Sequence, residues 1–507
     1  MIKSAESKNI IALVLVMAMV SVCLAFISCS DAQNGGGDIH AAGSVDDSAE
    51  NAGGNDDKNA TAPSKLEPDL PDTDFGGGII NFLVRSENYH WYWCSREIYA
   101  EQETGEPLND AVYRRNRHVE GKYNFEIKEY RSDAPFGDAQ RAVKAGEAAY
   151  DVFMLGLHEG AVLAQNKYLA DLYFVPHIDL ARPWWDQRAV GQLNIGGRIY
   201  YALGDINTQD NDSIFVSFFN KKLIADYALD DPYRLVKNGE WTLDKFNQMI
   251  TEISRDLDSD GVMNENDLYG QLGEELGAYI IFAGAGGRIT VNNSENYPEL
   301  AINTEKTSNI IDKMLINMGD RNLTLLANDY SGRYNNPWDE LTRPMFKNNQ
   351  GLFYTIGMGT GNLLRDMEID FGVLPMPKSD AIQAEYYCPV TSSTASAVCI
   401  PATNARLEFT GLALEAMAAE SMYTVTEAYY DINFMHKNLR DDESVEMLKI
   451  ILASCSYDLG YMFNFGGLVD IFTPMAKRNV NTFASDYEKR AERAQKDIDK
   501  LIENFAG

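Results

Sequence analysis

From Ile79 onward, short β-rich runs alternate with stretches of helical period, and this alternation restricts the possible folds more than any other feature. Ile79–Val84 predicts a strand, Asn109–Tyr123 a helix, Asn124–Tyr130 a strand, Asp138–Ala149 a helix and Asp151–Leu155 a buried strand. Ser213–Asn220, Leu352–Ile356 and Phe371–Leu374 continue the strands, and Thr242–Asp256 the helices. Parallel neighbours need a long crossover, usually helical, so this order argues for an α/β fold with covered parallel sheets. After Glu408 the character turns helical and ends in Phe483–Phe505. There Phe483, Tyr487, Ala491, Ala494, Ile498, Leu501 and Phe505 make one apolar stripe against a charged face. A sheet-rich first part with a helical tail fits two lobes and a helical supplement better than one barrel.

The beginning of the chain has a different character. Lys3 and Lys8 precede an apolar run, Ile10 to Ile27, that stops at Ser28-Cys29-Ser30. A charged start, an apolar centre and small residues at the cut describe a secretory signal. Phe26-Ile27-Ser28-Cys29 resembles a bacterial lipobox, with Phe26 where leucine is usual. The expectation is cleavage of residues 1–28 and a lipid on Cys29; the alternative for the same run is an uncleaved anchor, since its length just spans a bilayer. Both place the protein on the extracellular face of the cell membrane. Residues 29–78 are rich in Gly, Asp, Asn, Ala, Ser and Pro, with too little apolar surface to offset ordering entropy, and read as a disordered linker.

The remainder, about 430 residues, is enough for two or three domains. The formal charge is −31, and removing Lys3 and Lys8 against Glu6 leaves −32. That sign disfavours polyanionic partners, nucleic acid and anionic headgroups alike. Beyond Cys23 and Cys29, the four cysteines Cys94, Cys388, Cys399 and Cys455 are too few for a disulfide framework in so long a chain. Cys388 and Cys399 flank a short Thr/Ser segment and either pair across a hairpin or stay as buried thiols. No C-x-x-C or H-E-x-x-H spacing supports a zinc site, and neither a G-x-S-x-G elbow nor a Walker loop occurs. Gly357-Met358-Gly359-Thr360-Gly361 lacks the nucleotide fingerprint and reads as a strand-to-helix turn, the second reading being a helix opening whose amides face a ligand.

Asp256 to Asp267 looks like a calcium loop. Asp256, Asp258 and Asp260 stand at positions 1, 3 and 5, Gly261 at 6, the Val262 carbonyl at 7, Asn264 at 9 and Asp267 at 12. A hard cation takes six to eight oxygens, which this spacing can wrap around it. Aspartate at position 12, in place of a bidentate glutamate, weakens the grip, so a structural Ca2+ is expected rather than a sensor. An acidic Asp-Gly surface turn is the other reading.

That loop lies within Lys237–Gly270, K-N-G-E-W-T-L-D-K-F-N-Q-M-I-T-E-I-S-R-D-L-D-S-D-G-V-M-N-E-N-D-L-Y-G. Together with Y-D-V-F-M-L-G from Tyr150, Y-L-A-D-L from Tyr168, P-W-W-D from Pro183, Y-Y-A-L-G-D from Tyr200, F-F-N-K-K-L from Phe218, F-G-V-L-P-M-P-K from Phe371 and A-V-C-I-P from Ala397, it resembles the extracellular solute-binding lipoproteins of carbohydrate ABC importers. The resemblance implies a type II periplasmic-binding fold, two α/β lobes closing on a ligand. It places crossings near Tyr201–Asn207 and Phe371–Pro377, with Pro375 and Pro377 fixing the hinge. Lobe 1 would span 79–203 plus 375–422, and lobe 2 would span 208–372 plus 423–507. It further implies a monomer that hands a sugar, in particular an oligosaccharide, to separate permease subunits and performs no catalysis.

Sugar sites combine aromatic platforms with carboxylates, amides and arginines. Trp91 and Trp93 follow the first strand, at the edge where open α/β sheets bind ligands, and either stack on a sugar or pack to support their loop. Trp184 and Trp185 read as structural. Asp205 and Asn207 are placed to receive hydroxyls, with an Asp-containing turn as the alternative. Trp338 and Tyr354 are second-lobe candidates, each with core packing as its competitor. A surface glycoside hydrolase with paired carboxylates, or an adhesion protein, is the competing class.

Overall fold

The computed structural model describes residues 65–434 and 442–506. The expected leader 1–28, the lipidated Cys29, residues 29–64 of the expected linker and His436 lie outside the described residues. Of the expected linker's described part, residues 65–75 form no helix or strand, 76–77 turn, and Gly78 already opens the first strand. The chain divides at Pro68, and all that follows concerns the unit beyond it.

The expected strands and helices form with their ends shifted by a few residues. β1 (Gly78–Arg85), α1 (Pro107–Tyr123), β2 (Phe125–Ser132), β3 (Val152–Gly156) and α2 (Leu157–Gln165) come first. α1 starts where Pro107 presets the backbone and the Glu106 carboxylate accepts from the Asn109 amide, and it stops at left-handed Asn124 (φ 52°). β4 (Phe215–Asn220), α3 (Leu243–Ile253), β5 (Tyr269–Gly273), β6 (Thr324–Leu326), β7 (Gly351–Gly357) and β8 (Phe371–Leu374) follow. Then come β9 (Cys388–Pro389), β10 (Ser396–Cys399), α4 (Leu407–Met422), α5 (Val425–Phe434), α6 (Asp442–Ala453), β11 (Cys455–Ser456) and α7 (Phe483–Ala506).

Two sheets organise these elements. The first runs β10-β3-β1-β2, with β1 parallel to β2 and β3 and β10 antiparallel to β3. The second runs β8-β4-β7-β5-β6; β5 is parallel to β6 and β7, while β4 is antiparallel to both β7 and β8. In each sheet the antiparallel strand arrives from the other lobe, β4 into the second and β10 into the first. Each lobe therefore carries one strand delivered by a crossing.

The crossings lie later in the chain than the sequence reading puts them. Ala202 still bridges Val398 of the first sheet, so the outward crossing begins near Gly204 and ends at Ile214, which bridges Val390. Gly204 is obligatory there, because a Cβ on it would lie 2.2 Å from the Trp184 carbonyl oxygen. Phe371–Leu374 is no hinge. It is the edge strand β8, and beyond it Lys378 bridges Thr242 while the Trp241 indole donates to the Pro375 carbonyl at 2.9 Å. Residues 375–387 thus stay with the second lobe, and the return crossing is 388–395. β9 within it pairs in parallel with β11, Cys388 opposite Cys455.

The tail is also shared rather than added to the second lobe alone. α5 lies along α1 of the first lobe, α6 packs by β8 of the second, and Phe505 of α7 meets Tyr200 edge to face at 5.1 Å. Cys94, Cys388, Cys399 and Cys455 are all buried free thiols. Among the described residues no helix is long and apolar enough to cross a membrane.

Candidate functional site

Both sheets turn their loops toward one cavity of about 310 Å³, at the small end of the range for ligand pockets. From the first lobe come His90–Trp93, which follow β1, and from the return crossing Thr391, Ser393 and Thr394, which lead into β10. Because β10 runs against β3, its start lies at the same edge as the carboxyl ends of the parallel strands. From the second lobe come Glu274 after β5, then Asn336, Trp338, Asp339 and Arg343, Tyr354 and Ile356 of β7, and Thr360 just beyond it. This is where open α/β sheets hold ligands.

The loop after β1 is held from several sides. The Ser95 amide donates to the Arg85 carbonyl at 3.1 Å, and the Gln209 side chain donates to the Cys94 carbonyl at 2.6 Å and the Trp93 carbonyl at 3.3 Å. The His90 Nδ1 accepts the amides of Tyr92 (3.1 Å) and Trp93 (3.3 Å). Tyr92 is buried between the two tryptophans, with ring centroids 5.6 Å from Trp91 and 4.9 Å from Trp93, both edge to face. That fixes the loop while Trp91 stays 46 % exposed. Gly359 of the second lobe lets this loop approach; a Cβ there would meet the Tyr92 hydroxyl at 2.2 Å.

On the opposite wall the Trp338 indole donates to Glu274 Oε2 at 2.9 Å. Burial raises the Glu274 carboxyl above its ordinary value, against the lowering effect of that indole. Arg343 pairs with Asp339 at 2.5 Å, and Asn336 donates to the other Asp339 oxygen at 2.7 Å. Tyr354 is fully buried, its hydroxyl 3.1 Å from that of Thr342. The arrangement offers three indole surfaces, a carboxylate held at one oxygen, a guanidinium with unused donors and several hydroxyls. Such a set suits a neutral, hydroxyl-rich ligand with apolar faces.

Of the residues singled out from sequence, Trp91, Trp93, Trp338 and Tyr354 line the cavity, and Asp205 and Asn207 do not. Asp205 Oδ1 accepts the Thr426 hydroxyl at 2.7 Å. The Asn207 side chain donates to the Ser396 carbonyl, and its Oδ1 accepts the Gln209 amide at 2.9 Å. Both face inward because the crossing must pair its own polar groups where it is covered. Trp184 and Trp185 are structural: their indoles donate to the two oxygens of buried Glu415, at 3.0 and 2.9 Å. His90, Glu274, Asp339, Arg343, Ser393 and Thr394 escaped the sequence reading. The Thr/Ser segment between Cys388 and Cys399 was a usable signal for the last two, whereas β5 is masked by its two glycines.

In the acidic loop, carboxylate oxygens of Asp256, Asp258 and Asp260 lie within 4.8 Å of one another, so these three residues can hold a cation. Asp267 is turned inward, accepting the amides of Leu257 and Asn264 at 2.9 and 2.7 Å. The Asn264 side chain donates to the Val262 carbonyl at 3.0 Å. None of these residues lines the cavity.

No family model and no curated protein matches the chain. Solved structures do. An ABC substrate-binding protein from Listeria monocytogenes, in complex with cycloalternan, aligns over 84 % of this chain and 99 % of its own at 14 % identity, TM-score 0.50. A sugar transporter from Rhizobium etli in an open conformation covers 84 % and 98 % at 12 % identity, TM-score 0.51. UspC of M. tuberculosis covers 82 % and 99 % at 14 % identity, TM-score 0.51. The chain has the fold of ABC substrate-binding proteins.

Proposed function

We propose that the protein captures a sugar between its two lobes and delivers it to an ABC importer, without chemical change to the sugar. The observation that carries this is the cavity itself, with Trp91 and Trp93 on one wall facing Trp338, Glu274 and Arg343 on the other. Indole faces cover the apolar faces of sugar rings, and the carboxylate and guanidinium take hydroxyls. Closure would bring the two sets together and remove the ligand from water, which is how a hinged binder gains affinity. The sugar in the Listeria structure, cycloalternan, and the sugar-transport role of the Rhizobium protein support this reading.

The same proposal includes tethering at the outer face through a lipid on Cys29, a monomeric state, separate permease subunits as partners and a structural calcium ion at Asp256–Asp260. The test is a thermal-shift screen against plant and host glycans, followed by chromatography of the incubated sugar. A raised melting temperature with intact sugar is the expected result. Cleavage of the sugar would replace the reading with a glycoside hydrolase, and silence across all glycans would remove the sugar.

A further inference from the structure

His90 opens the aromatic loop, its ring 6.3 Å from that of Trp91, and its role goes beyond lining the cavity. Its Nδ1 accepts two backbone amides, those of Tyr92 and Trp93, two and three residues ahead. This is the pattern an asparagine or serine makes when it caps a turn. A ring nitrogen can accept only while it carries no proton, so these bonds require the neutral imidazole with its hydrogen on Nε2.

We propose that His90 is a positioning residue for the ligand wall: its unprotonated Nδ1 pins the loop that carries Trp91 and Trp93, and protonation at acid pH releases that loop. Adding a proton to Nδ1 would set an N–H against two N–H groups, which turns two attractions into two repulsions. The loop must then rearrange, carrying both indoles with it.

The charged groups around the ring set when this happens. Burial holds the imidazole below its ordinary value, Asp339 across the cavity acts upward, and Arg85 at the end of β1 acts downward. Arg343 and Glu274 line the same cavity, and Arg96 lies over the Tyr92 ring at 5.6 Å. Asp212, beneath Tyr92, is pushed up to about 6 by burial, and Glu415, which holds the Trp184 and Trp185 indoles, up to about 7, so these two carboxyls are the competing sources of an acid transition. The consequence for a ligand rests on the sugar-binding reading: affinity would fall on acidification as the platform loosens. The movement of the loop itself does not depend on that reading.

The geometry also says which substitution separates the roles. In asparagine, Oδ1 is the same number of bonds from the backbone as Nδ1 in histidine, and it accepts hydrogen bonds at every pH. His90→Asn should therefore keep the loop and lose the titration. The experiment is tryptophan fluorescence of the purified protein without ligand from pH 8 to 5, with far-UV circular dichroism to show that the fold persists. Trp91, Trp93 and Trp338 line the cavity, whereas Trp184 and Trp185 donate to Glu415, whose carboxyl burial pushes up to about 7, so the part of the response that belongs to the cavity loop is the part lost when Trp91 and Trp93 are replaced. Wild type should show one emission shift with its midpoint below about 6.5. His90→Asn should show the neutral-pH spectrum throughout, and Trp91→Phe with Trp93→Phe should remove the shift. Persistence of the shift in His90→Asn would assign it to a buried carboxyl, Asp212 or Glu415, and overturn the proposal, as would a flat wild-type profile. Because no sugar is present, failure here leaves the ligand reading standing, and a failed glycan screen leaves this result standing.

Discussion

Trp91 and Trp184 show how differently one residue type is used. Trp91 is 46 % exposed and meets the cavity, whereas Trp184 is fully enclosed with its indole bonded to Glu415. Trp91→Ala should weaken binding of a sugar identified in the screen by roughly tenfold, about 1.4 kcal/mol, with stability nearly unchanged. Titration calorimetry with a melting curve checks both halves. Glu415→Ala should do the reverse. It leaves two buried indole N–H groups and the Asp179 amide without an acceptor, so a loss on the order of 2–4 kcal/mol is expected in urea unfolding. The sequence context sets Trp184 and Trp185 apart as structural, but it does not show what holds them, because their partner Glu415 lies more than 200 residues away.

The loop between α3 and β5 poses the question at the scale of one element. Asp256, Asp258 and Asp260 present their carboxylates together, and Asp267 braces the loop from inside through two amides. Three carboxylates so close repel one another unless a cation lies among them. Calcium added to chelator-treated protein should raise the melting temperature, Asp258→Asn and Asp260→Asn should each remove most of that rise, and sugar affinity should stay the same. A melting temperature indifferent to calcium would mean that the loop is a plain acidic turn. The spacing made this element legible in the sequence, but the inward turn of Asp267 was not. Its burial follows from the bridge between Arg255 and Leu268, which seats position 12 under the loop.

At the scale of the whole molecule, the outward crossing joins the lobes through a stretch rich in covered carboxylates. Burial pushes Asp205 up to about 7, and Asp186 nearby adds to the rise. A carboxyl raised above its unfolded value near 3.9 stays protonated in the folded state while the unfolded chain already ionises. Its contribution to stability is therefore full below about pH 4 and is lost as pH rises through about 7, at up to about 1.4 kcal/mol per pH unit. Asp205→Asn keeps an acceptor for Thr426 and should flatten that slope when urea unfolding is compared from pH 5 to 8. If the lobes close on a ligand, small-angle scattering should show a smaller radius of gyration with sugar than without. The sequence by itself determined the α/β class, most strands and helices, the aromatic loop after β1 and the acidic loop, because each depends on periodicity or spacing within a few tens of residues. Only the tertiary structure decided where the chain crosses between lobes, that the tail serves both, and that Glu274, Asp339, Arg343 and His90 join the tryptophans. Those outcomes depend on which strand completes which sheet, β4 and β10 being paired with partners far away in the chain. Local pattern carries no record of such a choice.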